Sequence, residues 1–349
     1  MTEEQLIISR EYLNSIDPKR DISCITDRNL NKNQYDLAVI IPCFNVEKYV
    51  KTAIDSVLKQ KTTYRLEFII VDDGSADETG TIVDEYGELE NALVIHQENG
   101  GLSSARNTGL IYADAKYICF MDSDDWMAPG ALECMIKNAC EFDADIVQGK
   151  VKNVTEYQQL TELDGNNEIE RIEPFNIDGF AVAKLYRAEL FDGISFPETY
   201  WFEDAIVSYL IAPRVKNAYE IRNVVYAYRH NIDGISKISQ NSNKAVDAYW
   251  LREILLSDMK KIGIEIDQII YEKLLDEIAL TYVRTNNMEL NAKVAIFYLT
   301  LSWMKDYCVN FKTRNKFQGP LEKAILLENF NTYCDGCAII WNNKISRGL

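Results

Sequence analysis

Histidine is nearly absent from this chain, two in 349 residues; proline is scarce at seven, and acids outnumber bases 54 to 37. Each shortage excludes something. The one closely spaced cysteine pair, Cys334-Asp-Gly-Cys337, lacks the partner pair a four-ligand zinc site needs, since the only two histidines, His96 and His230, stand far apart in the sequence. The net charge of −17 argues against nucleic acid as a partner, since phosphate backbones attract basic faces. It argues equally against a broadly basic membrane-binding surface. Lys312, Arg314 and Lys316, beside Phe311 and Phe317, are the one local basic cluster and read as a solvated loop. No stretch reaches the roughly 18 apolar residues of a membrane helix. The first ten residues place acids ahead of the first base, without a long apolar run, unlike a secretory signal. The eight cysteines stand mostly in apolar patterns, as small buried hydrophobes do, and are expected to be reduced thiols of a cytoplasmic protein.

What is present is alternation. A hydrophobic content of 47% over this length suffices for a large core, or for one domain with a smaller annex. Residues 2–17 read as a short amphipathic helix and 18–36 as polar and irregular. From Leu37 the pattern alternates. Leu37 to Ile41, Leu66 to Val71, Ala92 to Ile95 and Tyr117 to Met121 are short apolar runs that suit buried strands. Between them, Glu47 to Gln60, Asp77 to Tyr86 and Ser103 to Tyr112 carry helical periodicity, and another helix is expected from about Pro129. The alternation predicts an α/β domain with a mainly parallel sheet flanked by helices. A further strand is expected over Asp145 to Val151, and Thr155 to Asn176 reads as irregular. From about Asn243 the chain turns helical, with stripes through Val246, Trp250, Ile254 and Leu255, through Ile266 to Ile278, and through Val294 to Leu301. No internal repeat or low-complexity tract is evident.

Ligands of such sheets lie beyond the carboxyl ends of the strands. Polar or glycine-rich groups follow all four runs: Pro42 to Asn45, Asp72-Asp73-Gly74-Ser75, Asn99-Gly100-Gly101 and Asp122-Ser123-Asp124-Asp125. Carboxylates are costly to bury unless paired or bound to metal. Three of them where a buried strand surfaces could hold a divalent cation, and the cation a diphosphate. The plainer possibility for that run is an acidic, capped strand-to-helix turn.

These motifs resemble glycosyltransferase family 2, whose members have the GT-A fold. The resemblance rests on Ile40-Ile-Pro-Cys-Phe-Asn45, Val71-Asp-Asp-Gly-Ser75, Asn99-Gly-Gly-Leu-Ser-Ser-Ala-Arg-Asn-Thr-Gly-Leu110, Phe120-Met-Asp-Ser-Asp-Asp-Trp126, Lys184-Leu-Tyr-Arg187 and Glu203-Asp204, over roughly residues 37–240. It implies an N-terminal helical extension (1–36), a GT-A catalytic domain (37–240) and a helical C-terminal region (241–349). It implies transfer of a hexose or N-acetylhexosamine from a UDP-sugar, with inversion, to a glycan or lipid-linked saccharide, as in cell-surface polysaccharide synthesis.

By that resemblance, Pro42, Phe44, Asp73, Arg106, Asp122, Ser123 and Arg229 would contact the nucleotide donor. Pro42 and Phe44 line the slot, Asp73 accepts the uracil N–H and Arg106 approaches the diphosphate. Asp124, with Asp122, would hold Mn²⁺ or Mg²⁺. Asp125 would brace the loop, and Trp126 would form part of the acceptor wall or pack in the core. Asp204 is the expected base and Glu203 shapes its site. Arg229, His230 and Ser236 could close over the diphosphate, His230 even as a metal ligand, although Ser236 stands one position away from the family's Gly-Ser pair. A lone histidine is more often structural, and His96, at the end of the third strand, is expected to be so. The implied place is the cytoplasm, peripheral on the inner membrane face; a homo-oligomer is compatible. Two alternatives are a non-catalytic sugar-nucleotide-binding protein and a nucleotidyltransferase on a related fold. The second would carry a basic, glycine-rich loop after the first strand, where this chain has Pro-Cys-Phe-Asn-Val-Glu.

Overall fold

The structure, a computed structural model, describes residues 1–163, 168–230, 242–308 and 310–346. The chain divides into two compact units, one of Ser23–Ile232 and one of Met1–Ile22 with Asp233–Leu349. Ser236 lies outside the described residues.

The first unit is built on one mixed sheet. Its strands are β1 (Asn31–Cys43), β2 (Leu66–Asp72), β3 (Ala92–His96), β4 (Asp114–Phe120), β5 (Trp126–Met127), β6 (Ile146–Val154), β7 (Ile169–Ile172), β8 (Lys184–Arg187) and β9 (Ala218–Arg229). The spatial order is β3-β2-β1-β4-β8-β6-β9-β5, with β7 also on β9. The expected parallel pairing holds for the first four, with Leu37 opposite Leu66 and Tyr117. Leu37 through Ile41 are fully buried because helices cover both faces, which is why that run is continuously apolar. The helices are α2 (Val50–Leu58), α3 (Thr79–Asp84), α4 (Leu102–Tyr112) and α5 (Ala131–Glu141). Helix α2 buries Val50, Ala53, Ile54 and Val57 at helical spacing. Gly109 lets α4 approach β1 closely, since a Cβ there would stand 2.3 Å from Ile40 Cγ2.

In the other half of the sheet only β6 matches an expected strand. Strand β1 begins at Asn31, inside the stretch read as irregular, and β7 lies within the stretch 155–176 also read that way. Strand β8 is antiparallel to both β4 and β6. Two reversals restore direction, so β6 runs with β4, and β9 runs parallel to β6 with Val154 opposite Arg229. The carboxyl ends of β1, β2, β3, β4, β6 and β9 therefore share one edge, to which the loops after them belong.

The second unit is helical: α1 (Glu3–Ile16), α6 (Asp247–Lys261), α7 (Gln268–Arg284), α8 (Leu290–Tyr307), α9 (Gly319–Leu326) and α10 (Phe330–Ser346). Helix α1 starts with a capping box, Thr2 accepting from the Gln5 N–H and Gln5 accepting from the Thr2 N–H. Of the stripes read from the sequence, Val246, Trp250, Leu255, Leu274, Ile278, Phe297 and Leu301 are buried in its core, whereas Ile269 is exposed. The Trp250 indole donates to the Asp17 carbonyl at 2.9 Å, and Arg20 meets buried Asp247 at 2.6 Å. No helix among the described residues is long and apolar enough to cross a membrane. All eight cysteines are free thiols.

Candidate active site

The loops at the carboxyl edge hold one another. Asn45 donates its backbone N–H to Ser75 Oγ at 3.0 Å, and its side-chain oxygen accepts from the Ala76 N–H at 2.8 Å. Pro42 is buried at the end of β1, whereas Phe44, next but one, is 47% exposed. Gly74 has a left-handed backbone (φ 73°), and a Cβ there would come 2.9 Å from the Asn99 nitrogen, so this turn requires glycine.

Asp73 pins the glycine turn. Its Oδ1 accepts from Gln97 Nε2 at 2.7 Å and from the Gly100 N–H at 2.9 Å, and its Oδ2 accepts from the Gly101 N–H at 2.8 Å. These charge-assisted bonds satisfy a carboxylate that is almost wholly buried. Neighbouring Asp72 meets His96 Nδ1 at 2.9 Å while His96 Nε2 meets Asp84 at 2.9 Å. Bonds to those two carboxylates, Asp84 first, push the His96 pKa up, and its place is the structural one expected.

Arg106 comes from α4 and is buried. Its fork reaches three carboxylates from two distant segments: Nη2 donates to Asp122 Oδ1 at 2.8 Å, and Nη1 donates to Glu203 Oε1 at 2.7 Å and Asp204 Oδ1 at 3.1 Å. Phe196 and Phe120 wall the guanidinium, with ring centroids 5.3 and 6.0 Å away. Burial would lower its pKa, but Asp122, Asp204 and Glu203 together raise it, so it stays charged. The expected approach to a diphosphate gives way, in this geometry, to an internal tie between the β4 end and the Glu203-Asp204 pair. A sequence cannot show that tie, because its partners are 97 and 98 residues away.

Phe202, immediately before that pair, has a left-handed backbone (φ 65°), uncommon for an aromatic residue. Glu203 is buried, while Asp204 keeps 28% of its side chain exposed. The Asp204 carboxyl is pushed up to about 7, first by burial and then by Glu203; Arg106 and the Ala181 N–H act against the shift and Asp122 with it.

Behind β4, Asp122 and Asp124 are half-buried, and Ser123 is buried with its hydroxyl in hydrogen-bonding reach of the Cys43 thiol. Asp125 is buried as a brace: its Oδ1 accepts from the Arg229 N–H at 2.7 Å. Burial and then Asp122 and Asp124 push its carboxyl up to about 8. Arg229, at the end of β9, donates Nε–H to the Asp124 carbonyl at 2.7 Å and lies over the rings of Tyr49 (4.6 Å) and Trp126 (4.9 Å). Trp126 is buried, and its indole donates to the Gln158 carbonyl at 3.0 Å. His230 is exposed, its ring edge-on to Tyr228. Tyr226, whose hydroxyl accepts from the Asp122 N–H at 3.1 Å, was missed by sequence reasoning. The run Val224-Val-Tyr-Ala-Tyr228, rich in β-branched and aromatic residues, was the signal for its strand.

Among the described residues, no group of three or more His, Cys, Asp or Glu side chains is placed to hold a metal ion. Asp122 and Asp124 both follow β4 with part of their side chains exposed, and carboxylate oxygens are the donors a hard cation takes. That suits a hard cation completing its shell with phosphate and water.

Residues 38–186 match the profile of Glycosyl transferase family 2. The chain is 32% identical over 249 residues to glycosyltransferase GlyG of Streptococcus pneumoniae, covering 65% of this chain and 79% of GlyG. The chain belongs to glycosyltransferase family 2. This family 2 chain is also similar to glycosyltransferase GlyA of the same organism, 31% identical over 244 residues, covering 64% of this chain. It spans only 35% of the length of GlyA. In fold, the chain is similar to the crystal structure of Staphylococcus aureus TarS 1–349 in complex with UDP-GlcNAc: TM-score 0.67, 20% identity, 88% of this chain and 92% of that one. The likeness is to the GT-A fold, with its helical C-terminal region.

Proposed function

We propose that this family 2 chain is an inverting glycosyltransferase that moves a hexose or N-acetylhexosamine from a UDP-sugar to a glycan hydroxyl in cell-surface polysaccharide synthesis. The observation that carries the reading is Asp204. It is a half-open carboxyl, held near neutrality and tied through one arginine to the carboxylate at the β4 end. A general base works best with a pKa near the operating pH. In this reading Asp204 takes the proton of the acceptor hydroxyl. The hydroxyl oxygen bonds to the anomeric carbon from the face opposite the donor oxygen. The bond from that carbon to the diphosphate breaks, its electron pair staying on UDP, and the configuration inverts.

The remaining groups bind and orient. Phe44 and Pro42 border the uracil slot. Asp73 Oδ2 accepts one hydrogen bond among the described residues, leaving a lone pair for the uracil N–H. Arg229, held by the Asp124 carbonyl and two aromatic rings, is preorganised to meet the diphosphate, and Ser123 is assigned a donor contact as well. Arg106 acts as a positioning residue for Asp204 and Asp122. Asp122 and Asp124 would hold Mn²⁺ or Mg²⁺, which when bound neutralises charge on the leaving diphosphate. The catalytic domain, residues 37–240 in the division drawn from sequence, contains every group this reaction uses. The place that suits such a reaction is the cytoplasm, at the inner face of the membrane where lipid-linked saccharides are extended. The UDP-GlcNAc bound to TarS supports a UDP-sugar donor for this fold.

Calorimetric titration with UDP, with Mn²⁺ and then with chelator, tests the donor site. Metal-dependent binding that Asp124→Ala abolishes is expected. Absence of UDP binding under both conditions refutes the reading, and binding without donor turnover on any acceptor would leave a non-catalytic binding protein.

A further inference from the structure

The loop after β6 belongs to the same edge as the donor loops, because the chain direction reverses twice across β8, between β4 and β6. Its residues 155–163 are anchored rather than loose. Leu160 and Leu163 are buried in the core, the Leu163 N–H donates to the Pro129 carbonyl at 2.9 Å, and the Gln158 carbonyl holds the Trp126 indole. Lys152 Nζ donates to Gln158 Oε1 at 2.8 Å from the strand itself. On this fixed loop stands Tyr157, 61% exposed, its ring 5.0 Å from that of Trp126 and tilted by 43°. Trp126 in turn lies under the Arg229 guanidinium, which is bonded to the Asp124 carbonyl. A large ring presented to solvent is thus two side chains away from the acidic loop, supported from beneath by a buried indole.

We propose that Tyr157, backed by Trp126, is a stacking platform for a pyranose ring of the acceptor saccharide. A pyranose has a flat C–H face and a hydroxyl rim. A tyrosine offers the matching apolar face, a polar tip and little entropy to lose, since it turns about only two side-chain torsions. The acceptor is favoured over the donor because the residues suited to uracil, Pro42, Phe44 and Asp73, follow β1 and β2. Tyr157 reaches the acidic loop from the β6 and β9 side, through Trp126 and Arg229. The sugar would add a second aromatic contact to a pair that already exists, with no side chain to be ordered first. This assignment rests on the glycosyltransferase reading.

Saturation-transfer NMR on the full chain tests it, with methyl β-glucoside, methyl β-galactoside and methyl N-acetyl-β-glucosaminide as probes, each with and without UDP and Mn²⁺. Saturation of the ring C–H protons of at least one probe is expected. It should survive in Tyr157→Phe and weaken about tenfold in Tyr157→Ala, the scale of one aromatic contact, while UDP affinity stays unchanged. Tyr157 is a surface residue, so the alanine variant is expected to fold. Equal saturation in Tyr157→Ala would overturn the proposal, as would no saturation of any probe by the unmodified chain. Loss of UDP affinity in Tyr157→Ala would overturn it too, by assigning the ring to the donor. Failure of the unmodified chain to bind UDP would instead count against the enzyme reading, independently of the probe result without nucleotide.

Discussion

Replacing Arg106 by methionine would keep much of the side-chain volume and remove the one cation shared by Asp122, Glu203 and Asp204. Three carboxylates would then face each other around a buried apolar group. Breaking a buried ion pair by deleting one partner costs about 3–5 kcal/mol, because the stranded charge keeps its desolvation penalty. Three partners do not triple that figure, since Asp122 and Asp204 each keep about a quarter of their side chains in solvent and can rehydrate. Glu203, 10% exposed at the side chain, cannot. We therefore expect a loss of about 4 kcal/mol, which for a unit of this size lowers the melting temperature by roughly 8–16 °C. Arg106→Lys keeps the charge but lacks the planar fork, so it should fall about midway. Adding Glu203→Gln to Arg106→Met should recover about 1 kcal/mol by removing one stranded charge. Differential scanning calorimetry reads all four proteins. A melting temperature for Arg106→Met within about 2 °C of the parent would refute the reasoning, as would a further loss on adding Glu203→Gln.

Asp204→Asn should retain UDP affinity and lose transfer by about 10²–10⁴-fold, the usual contribution of a general base; full transfer in that variant would remove Asp204 from the role. Its carboxyl is held up to about 7, so in the parent chain kcat/KM should fall as pH drops below that value and the base takes up a proton. A profile flat from about pH 8 to 5 would contradict this. Glu67 gives a stability test away from the site. Burial, with Asp114 nearby, raises its carboxyl to about 7 from 4.5, although its Oε1 accepts the Asp114 N–H at 2.7 Å. The folded state thus binds a proton that the unfolded state releases between those values, and stability from this group is present below 4.5 and lost as pH rises to about 7. Glu67→Gln should accordingly be more stable than the parent at about pH 8 and equal to it at about pH 4, by urea titration; an equal difference at both would show that Glu67 is not the cause.

The first half of the sheet was legible because β1, β2 and β4 are largely buried on both faces, which writes the continuous apolar run that Leu37 to Ile41 shows, and the edge strand β3, part-exposed, still carries the short apolar run Ala92 to Ile95. The polar groups after those strands could be read for the same reason: they interrupt a pattern. Most of the second half was not, since β8 is four residues long and β7 alternates only weakly, too short for a periodic signal. Asp204 and Asp124 were legible as members of motifs. The work of Arg106 was not, because a guanidinium gives no sequence sign of whether it will meet phosphate or carboxylate. Asp73 shows the converse: a turn-forming residue and a binding candidate look alike in sequence, its three hydrogen bonds show the turn, and the uracil contact is a proposed role beside it.

The four residues of β8 have a consequence for how such a protein can change over time. They form a seam between a parallel half, whose loops hold Asp73 and Asp122, and a second half that adds its own loops to the same edge. The pairing across that seam is made by backbone hydrogen bonds, so solvent-facing positions beyond β6, such as Tyr157, can change while Leu160 and Leu163 keep their places in the core. Under the proposed function, a lineage can then keep one activated sugar and try many recipients, with innovation concentrated on the side of the seam where Tyr157 stands.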